Sequence, residues 1–336
     1  MAQSTLEIDE VRADDPAAVD AVFEIVNESV RADLPDLPPN CRYQYDMQWL
    51  IPPPRAVRRR FLARHGDEPV GVAELDLPRH DNLDKAHVDV RVHPAHRRRG
   101  IGRALFAHAT AAARADGRTG VLGFSPVAAG PSGFAEAAGV TNRLLDARRR
   151  LLLADVDEGT LDRLYAEGVA KSAGYALVHW GATLPEEYVE DLAALDSSFL
   201  EETPMGELDY QPERVDAERL RTQQAAFVAW GARRYEAGLV HEATGRLVAW
   251  TAIRVTRTVG WHAWQLITLV HPAHRGHRLG LVAKVANLRA MRAAEPAVTT
   301  IDTFNAADNS YMIAINEAMG FRFADHWANW QGAIAP

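Results

Sequence analysis

Val92-His93-Pro94-Ala95-His96-Arg97-Arg98-Arg99-Gly100-Ile101-Gly102 is the stretch that decides how this chain is read. It follows a strand-like run, residues 86–92, and precedes a helix-like run that begins at Ile101. A near copy stands later: Val270-His271-Pro272-Ala273-His274-Arg275-Gly276-His277-Arg278-Leu279-Gly280. Val, Pro, Arg and the last Gly recur at a constant offset of 178 residues, the spacing of a duplicated domain rather than of a short-period solenoid.

Each copy has the chemistry of an anion cradle. A strand ends, a short Arg/Gly loop turns, and a helix starts with its first N–H groups unpaired. Those groups, with the positive end of the helix dipole, suit a phosphate or diphosphate. Gly100 and Gly102 let the backbone approach oxygens that a Cβ would hold off. Arg97, Arg98 and Arg99 can add charge-assisted hydrogen bonds.

The chain has 336 residues, 47% hydrophobic and 24% charged, enough for two ordinary cores. A net charge of −8 argues against a general nucleic-acid binder, which needs a basic surface. Cys41, the single cysteine, cannot form an internal disulfide and reads as a packed small hydrophobe. No apolar run approaches the ~20 residues that span a bilayer. The polar, acidic start shows no leader pattern, so a soluble cytoplasmic protein is expected.

Read in order, Pro16–Asn27 has helical spacing behind Asp15, and 34–39 is a proline-broken loop. The charge run Arg55, Arg58, Arg59, Arg60 reads as a solvated helix face leading into Phe61. A hairpin joins 60–64 to 70–75, and strand 87–92, loop 93–100, helix 101–115 and strand 119–124 follow. Then come a short helix 132–138 and a strand 149–154 that closes the first unit. In helix 101–115, Ile101, Leu105, Ala109 and Ala112 share a face. The second unit repeats the order: strand 175–180, helices 186–195 and 212–231, hairpin 235–240 with 246–255, strand 264–270, helix 279–294, strand 298–304 and helix 309–319. Five tryptophans, Trp250, Trp261, Trp264, Trp327 and Trp330, crowd this second half, as core or as an aromatic acceptor pocket. The expected division is 1–155, a linker helix 156–172, and 173–336. The class is α/β (α+β), each half a mixed, mostly antiparallel sheet flanked by helices.

Arg-x-x-Gly-x-Gly after a strand ending Val-x-Pro resembles the acyl-CoA diphosphate loop of the GCN5-related N-acetyltransferases (GNAT). Arg97 to Gly102 fits fully. The second copy keeps Arg275 and Gly280 but has Arg278 where the family usually has its first Gly, with Gly276 nearby. A further stretch, Asp302 to Phe321, is similar to the family's Asn-(gap)-Asn…Gly-Phe segment after the fifth strand; Asn305 and Asn309 stand where the family's asparagines contact the pantetheine, and Gly320 stops the helix. Asn309 reads equally as an N-cap. The first unit lacks this asparagine pair and reads Ser125-Pro126-Val127-Ala128-Ala129-Gly130-Pro131 instead. The resemblance covers about 60–155 and 173–330.

What the resemblance implies is a tandem acetyl-CoA-dependent N-acetyltransferase acting on a small-molecule amine, with its chemistry in the C-terminal unit. The alternatives are a non-catalytic acyl-CoA-binding sensor or a protein-lysine acetyltransferase. The coenzyme contacts it implies are Val90, Val92, Arg97, Arg98, Arg99, Gly100, Gly102 and Arg103 in the first unit. In the second they are Leu269, Val270, Arg275, Gly276, His277, Arg278, Gly280, Leu281, Asn305 and Asn309. The family often has a carboxylate on the strand before the loop; the second unit's strand, Trp264-Gln265-Leu266-Ile267-Thr268, has none, whereas the first has Asp89. The family's frequent Tyr acid is replaced by Asn316, with Tyr311 nearby. Tyr311, His262, Asp302 and Asp89 are therefore the candidate acid and base groups, and each also has an ordinary structural reading. His93, His96, His271, His274 and His277 lie on Pro-containing loops without an acidic or Cys cluster, so no metal is expected.

Overall fold

The computed structural model describes residues 5–335, apart from the side chains of Ala129, Leu200, Glu201 and Glu202. In chain order its elements begin with β1 (Leu6–Glu10), α1 (Pro16–Asp33), α2 (Arg42–Leu50), β2 (Ala56–His65), β3 (Glu68–Pro78), β4 (Lys85–Val92), α3 (Ile101–Ala115), β5 (Gly120–Pro126), α4 (Ala129–Ala137) and β6 (Thr141–Leu152). They continue with α5 (Glu158–Lys171), β7 (Tyr175–Trp180), α6 (Val189–Glu202), α7 (Ala217–Ala229), β8 (Arg233–His241), β9 (Arg246–Val255), β10 (His262–Val270), α8 (Leu279–Ala294), β11 (Thr300–Ala306), α9 (Ser310–Ala318) and β12 (Arg322–Ala333).

Two compact units form. Among the described residues, the first takes those up to Leu144, Glu207–Tyr210, and those from Trp327 on; the second takes Leu145–Gly206 and Gln211–His326.

The first unit's sheet runs β1-β2-β3-β4-β5 and ends on the Trp327–Ala333 part of β12. All its pairs are antiparallel except β4 with β5. Helix α3 covers one face because Ile101, Leu105, Ala109 and Ala113 recur every four residues and are fully buried with Ala73, Leu75 and Val88. Ala113, rather than the expected Ala112, completes that buried stripe. Helices α1 and α2 cover the other face over Leu62 and Val72. Asp15 caps α1 by accepting from the Ala18 N–H at 3.0 Å. Cys41 is buried and caps α2.

The second unit's sheet runs β6-β11-β10-β9-β8-β7, with β10 parallel to β11 and its other pairs antiparallel. Helices α5 and α8 cover one face over Ile253, Val255, Ala263 and Ile301, and α6 and α7 the other over Trp250, Ala252 and Leu269. No helix among the described residues is long and apolar enough to cross a membrane.

Three expectations change here. The Arg55–Arg60 run is no helix face: from Ala56 on it is strand β2. Arg58 bonds Asp76 at 2.6 and 2.5 Å, Arg60 bonds Glu74 at 2.5 Å and Arg59 bonds Glu10, so the charges answer carboxylates on neighbouring strands. The strand expected to close the first unit does not: residues 146–152 of β6 pair with β11 in the second. The first unit is closed instead by β12, which puts Trp327 and Trp330 there, Trp327 stacked on Phe124 and the Trp330 indole N–H bonded to Ser125 at 2.8 Å. That strand alternates weakly and carries Asp, His, Asn and Gln, so its pattern is faint in the sequence.

Candidate active sites at two split parallel ladders

In both units the loop backbone follows one course. A short 3-10 turn, Pro94–His96 or Pro272–His274, is capped by the preceding histidine, which accepts from the N–H two residues on at 3.3 Å. Two residues then take positive φ before the helix starts. In the first loop they are Arg98 (63°) and Gly100 (83°); in the second, Gly276 (87°) and Arg278 (55°). Glycine and arginine thus exchange slots while the backbone keeps its shape. A left-handed non-glycine residue costs about 1–2 kcal/mol, and each loop carries one.

The helices begin immediately after. The first intrahelical bonds are Ala104 N–H to Gly100 O and Val282 N–H to Arg278 O, both 3.1 Å. The N–H groups of residues 101–103 and 279–281 therefore have no intrahelical carbonyl to bond. Gly102 and Gly280 set how closely the helix start meets the strand end. A Cβ at Gly102 would lie 3.2 Å from Phe134 and 3.5 Å from Val92; at Gly280, 3.3 Å from Val270 and 3.4 Å from Thr268.

The arginines divide their work. Arg97 turns back: its Nε donates to Val92 O at 3.1 Å, and its guanidinium holds Asp33 at 2.7 and 2.8 Å and Ser29 at 3.1 Å. It braces the loop against α1. Arg99 donates to Ala95 O at 3.1 Å. Arg98, Arg99 and Arg103 are exposed beside the helix start, as are Arg275 and His277 in the second unit. Arg278 pairs with Glu167 at 2.9 Å.

Next to each loop the parallel ladder splits. β4 pairs with β5 only over Lys85–His87, and β10 with β11 only over His262–Trp264. Beyond those residues Val90 and Val92, or Leu269 and Val270, run on without a ladder partner on that side. Such an opening, ending at a helix start, admits an extended ligand arm as an added strand.

The openings differ. β3 and β4 keep one register from Gly71–Val92 to Asp76–His87. β9 and β10 do not: the register shifts between Gln265 and Thr268, leaving Leu266 and Ile267 outside the ladder. Strand positions therefore sit 177 residues apart before the bulge (His87 and Trp264) and 178 after it (Val92 and Val270). Buried Gln265 fixes the bulge by donating to Thr251 Oγ1, Ala252 O and Ile267 O at 3.0–3.2 Å, and Thr251 and Thr268 donate to the same Ile267 carbonyl. In the first unit the corresponding stretch holds Asp89, half exposed and bonded to Arg91 at 2.8 Å.

On the face opposite α8, Trp264 stacks on Phe304 across the split, with centroids 5.7 Å apart. Beneath them lies a buried charge cluster. Asp302, 0% exposed, accepts from Arg150 at 2.8 and 2.7 Å, His262 Nε2 at 2.9 Å and Arg148 at 3.3 Å. Arg148, 2% exposed, also holds Asp325. Burial alone would raise the Asp302 pKa, but Arg150 and His262 outweigh it and hold the carboxyl below its usual range. His262 is buried, and its Nδ1 has no partner. Tyr311 is exposed on α9. Asn309 caps that helix, accepting from Met312 N–H at 3.2 Å. Asn305 accepts from buried Asn316 at 2.7 Å, whose own Oδ1 is left unpaired.

His274 and His277 of the second loop and His241 of β8 gather around Tyr175, whose hydroxyl meets His274 Nδ1 at 2.9 Å. Burial and His241, His271 and His277 push the His274 pKa down. Among the described residues no group of three or more His, Cys, Asp or Glu is placed to hold a metal ion. A surface cavity lined by Leu153, Arg292, Glu295 and Val298 lies at the far end of α8 from the loop.

Nothing local in the sequence marks Gln265, Arg254 or Lys284. Each is an isolated polar residue in an apolar run, and only the register shows what it faces.

The acetyltransferase (GNAT) family model matches residues 19–126. A tandem GNAT protein from the clavulanic acid biosynthesis pathway is 32% identical, with a TM-score of 0.84 over 99% of both chains. A GCN5-related N-acetyltransferase from Sphaerobacter thermophilus shares the fold at 14% identity, TM-score 0.66, over 98% of this chain and 96% of that one. A glucosamine N-acetyltransferase region of a fungal multi-domain β-N-acetylglucosaminidase has a TM-score of 0.69 at 14% identity, over 99% of this chain and 38% of that one. No curated protein sequence matches significantly. With two split ladders, two loops of one backbone shape and that full-length likeness, the chain belongs to the GCN5-related N-acetyltransferase family as a tandem member.

Proposed function

We propose that this protein is an acetyl-CoA-dependent N-acetyltransferase that acylates the amine of a small molecule in the cytoplasm, with its chemistry in the second unit. Acyl-CoA supplies the acyl group as a thioester. The unpaired N–H groups of 279–281, with Arg275, Gly276 and His277 alongside, would hold its diphosphate, and Leu269 and Val270 its pantetheine arm. Asn305, at the end of β11, would meet that arm. In the first unit Arg98, Arg99, Gly100, Gly102 and Arg103 offer a second coenzyme site, with Arg97 as its brace.

The observation that carries the placement is the bulge in β10 where the ladder opens. A bulge re-aims backbone groups, and N–H groups aimed into a dry opening favour developing negative charge. Trp264, Phe304 and Trp250 give that face an aromatic wall suited to a small acceptor. β10 holds no carboxylate, and Asp302 and His262 are locked in their cluster. Proton removal then falls to water, and the rate follows the free-amine fraction of the acceptor.

Thiol release from acetyl-CoA across an amine panel tests this. Arg275→Glu is expected to lose far more turnover than Arg98→Glu. The reverse result assigns the chemistry to the first unit. No turnover with any amine would overturn the reading in favour of an acyl-CoA-binding protein.

A further inference from the structure

Beside its opening the second unit carries a cation that has no counter-charge among the described residues. Ile253 and Val255 are buried in the cluster under α8, so the alternate residues Trp250, Ala252 and Arg254 point to the other face. In the ladders Arg254 stands between Arg234 on β8 and Trp264 on β10. Trp264 in turn pairs with Asp302 at the last rung before the ladder splits. Arg254 is thus one strand from the split, on the aromatic side.

The Arg254 Nε is buried without a hydrogen-bond partner, and among the described residues its guanidinium makes no ion pair. The carboxylates on that face are already committed. Glu236 accepts from Arg234 at 2.6 Å on one oxygen and from the Trp250 indole at 2.8 Å on the other. Asp302 is held by Arg150, His262 and Arg148. Burial, then the neighbouring Arg234 charge, push the Arg254 pKa down. Arg254 is partly buried, and its Nε is shut off from water at a desolvation cost that a bonding partner would offset. The first unit shows the balanced arrangement: 178 residues earlier the strand holds Asp76, paired with Arg58 through two bonds.

We infer that Arg254 is the acceptor-recognition residue of the second unit, and that the acceptor is an amine that also carries a carboxylate. A guanidinium fork matches a carboxylate with two parallel bonds. Held so, the acceptor would direct its amine toward the split between β10 and β11. The inference rests on the acyl-transfer reading above and adds the class of acceptor.

The experiment compares matched acceptors with and without the carboxylate: tyrosine against tyramine, and β-alanine against ethylamine. The acid member of each pair is expected to have the higher kcat/KM. Arg254→Met should cut the acid-to-amine ratio roughly 10–100-fold, and Arg254→Lys should restore part of it. Calorimetry with CoA checks that each variant is folded. Calorimetry with N-acetyltyrosine and N-acetyltyramine gives a readout that needs no turnover. If N-acetyltyrosine binds in an Arg254-dependent way while no amine is acylated, the carboxylate site stands and the acyl-transfer reading falls. Turnover with a ratio near one, or a ratio unmoved by Arg254→Met, sinks this inference alone. Absence of both carboxylate preference and N-acetyltyrosine binding sinks it as well.

Discussion

At the first loop arginine and then glycine take the left-handed positions; at the second, glycine and then arginine do. The backbone course is the same, so what a duplicated loop preserves is a conformation. The helix starts are alike for that reason. One strand away the units diverge. β4 is regular and bears Asp89, whereas β10 is bulged and bears no carboxylate. Where the first unit has Leu122 beside His87, the second has Asp302 beside Trp264. Where the first has Phe106 packed on Phe134, the second has Lys284 over the Phe321 ring. The anion cradle is shared, whereas the buried Asp302 cluster and buried Lys284 belong to the second unit alone.

Exchanging residues between equivalent positions tests this contrast. Asp302→Leu, the first unit's choice, takes the carboxylate away from buried His262 and part-buried Arg150 and leaves Arg148 with Asp325. Urea unfolding is expected to show a loss of about 3–5 kcal/mol. A loss under 1 kcal/mol would mean the cluster is not the anchor of the second sheet.

Lys284 is 1% exposed, and burial pulls its pKa down to about 7 from 10.5. The folded state therefore penalises the ammonium form. The penalty is fully present below pH 7, where both states are protonated, and fades as pH rises toward 10.5, where the unfolded lysine also loses its proton. Stability should climb with pH across that window. Lys284→Met should stabilise the protein by on the order of 3 kcal/mol at pH 7 and flatten the climb, as urea midpoints between pH 6 and 10 would report. A flat wild-type profile would contradict it.

Gly102→Val and Gly280→Val probe the shared cradle. Each side chain would be forced against the strand end, at a cost of about 1–3 kcal/mol. Each should weaken the heat of CoA binding at its own loop. Equal loss at both loops from one substitution would show that the two cradles do not act separately.

The smallest effect concerns the exchanged slots. Arg98→Gly and Arg278→Gly relieve a left-handed side chain but loosen the unfolded chain, for a net gain of under about 1 kcal/mol each. Gly100→Ala and Gly276→Ala should cost about 1 kcal/mol. A sign difference between the two loops would show that their backbones are not equivalent.

The duplication, the loop and the helices after it were legible because their signals are local. Arg/Gly turns, four-residue apolar spacing on α3 and the Asn309 cap lie within a few residues of what they organise. The charge run at 55–60 does not show itself as a strand, because its partners Asp76 and Glu74 lie on another strand. β12 is not legible, because its alternation is faint and its partner β5 is some two hundred residues earlier.

The amino-acid sequence by itself determined the twofold repeat, the two anion loops and the alternation of strands with helices, since each follows from side-chain period and backbone freedom over short spans. Only the tertiary structure decided which strand closes which unit, where β10 takes its extra residue, and that Arg254 has no counter-charge among the described residues. Those are matters of register and of long-range pairing, in which a charge is satisfied or stranded by residues far away along the chain.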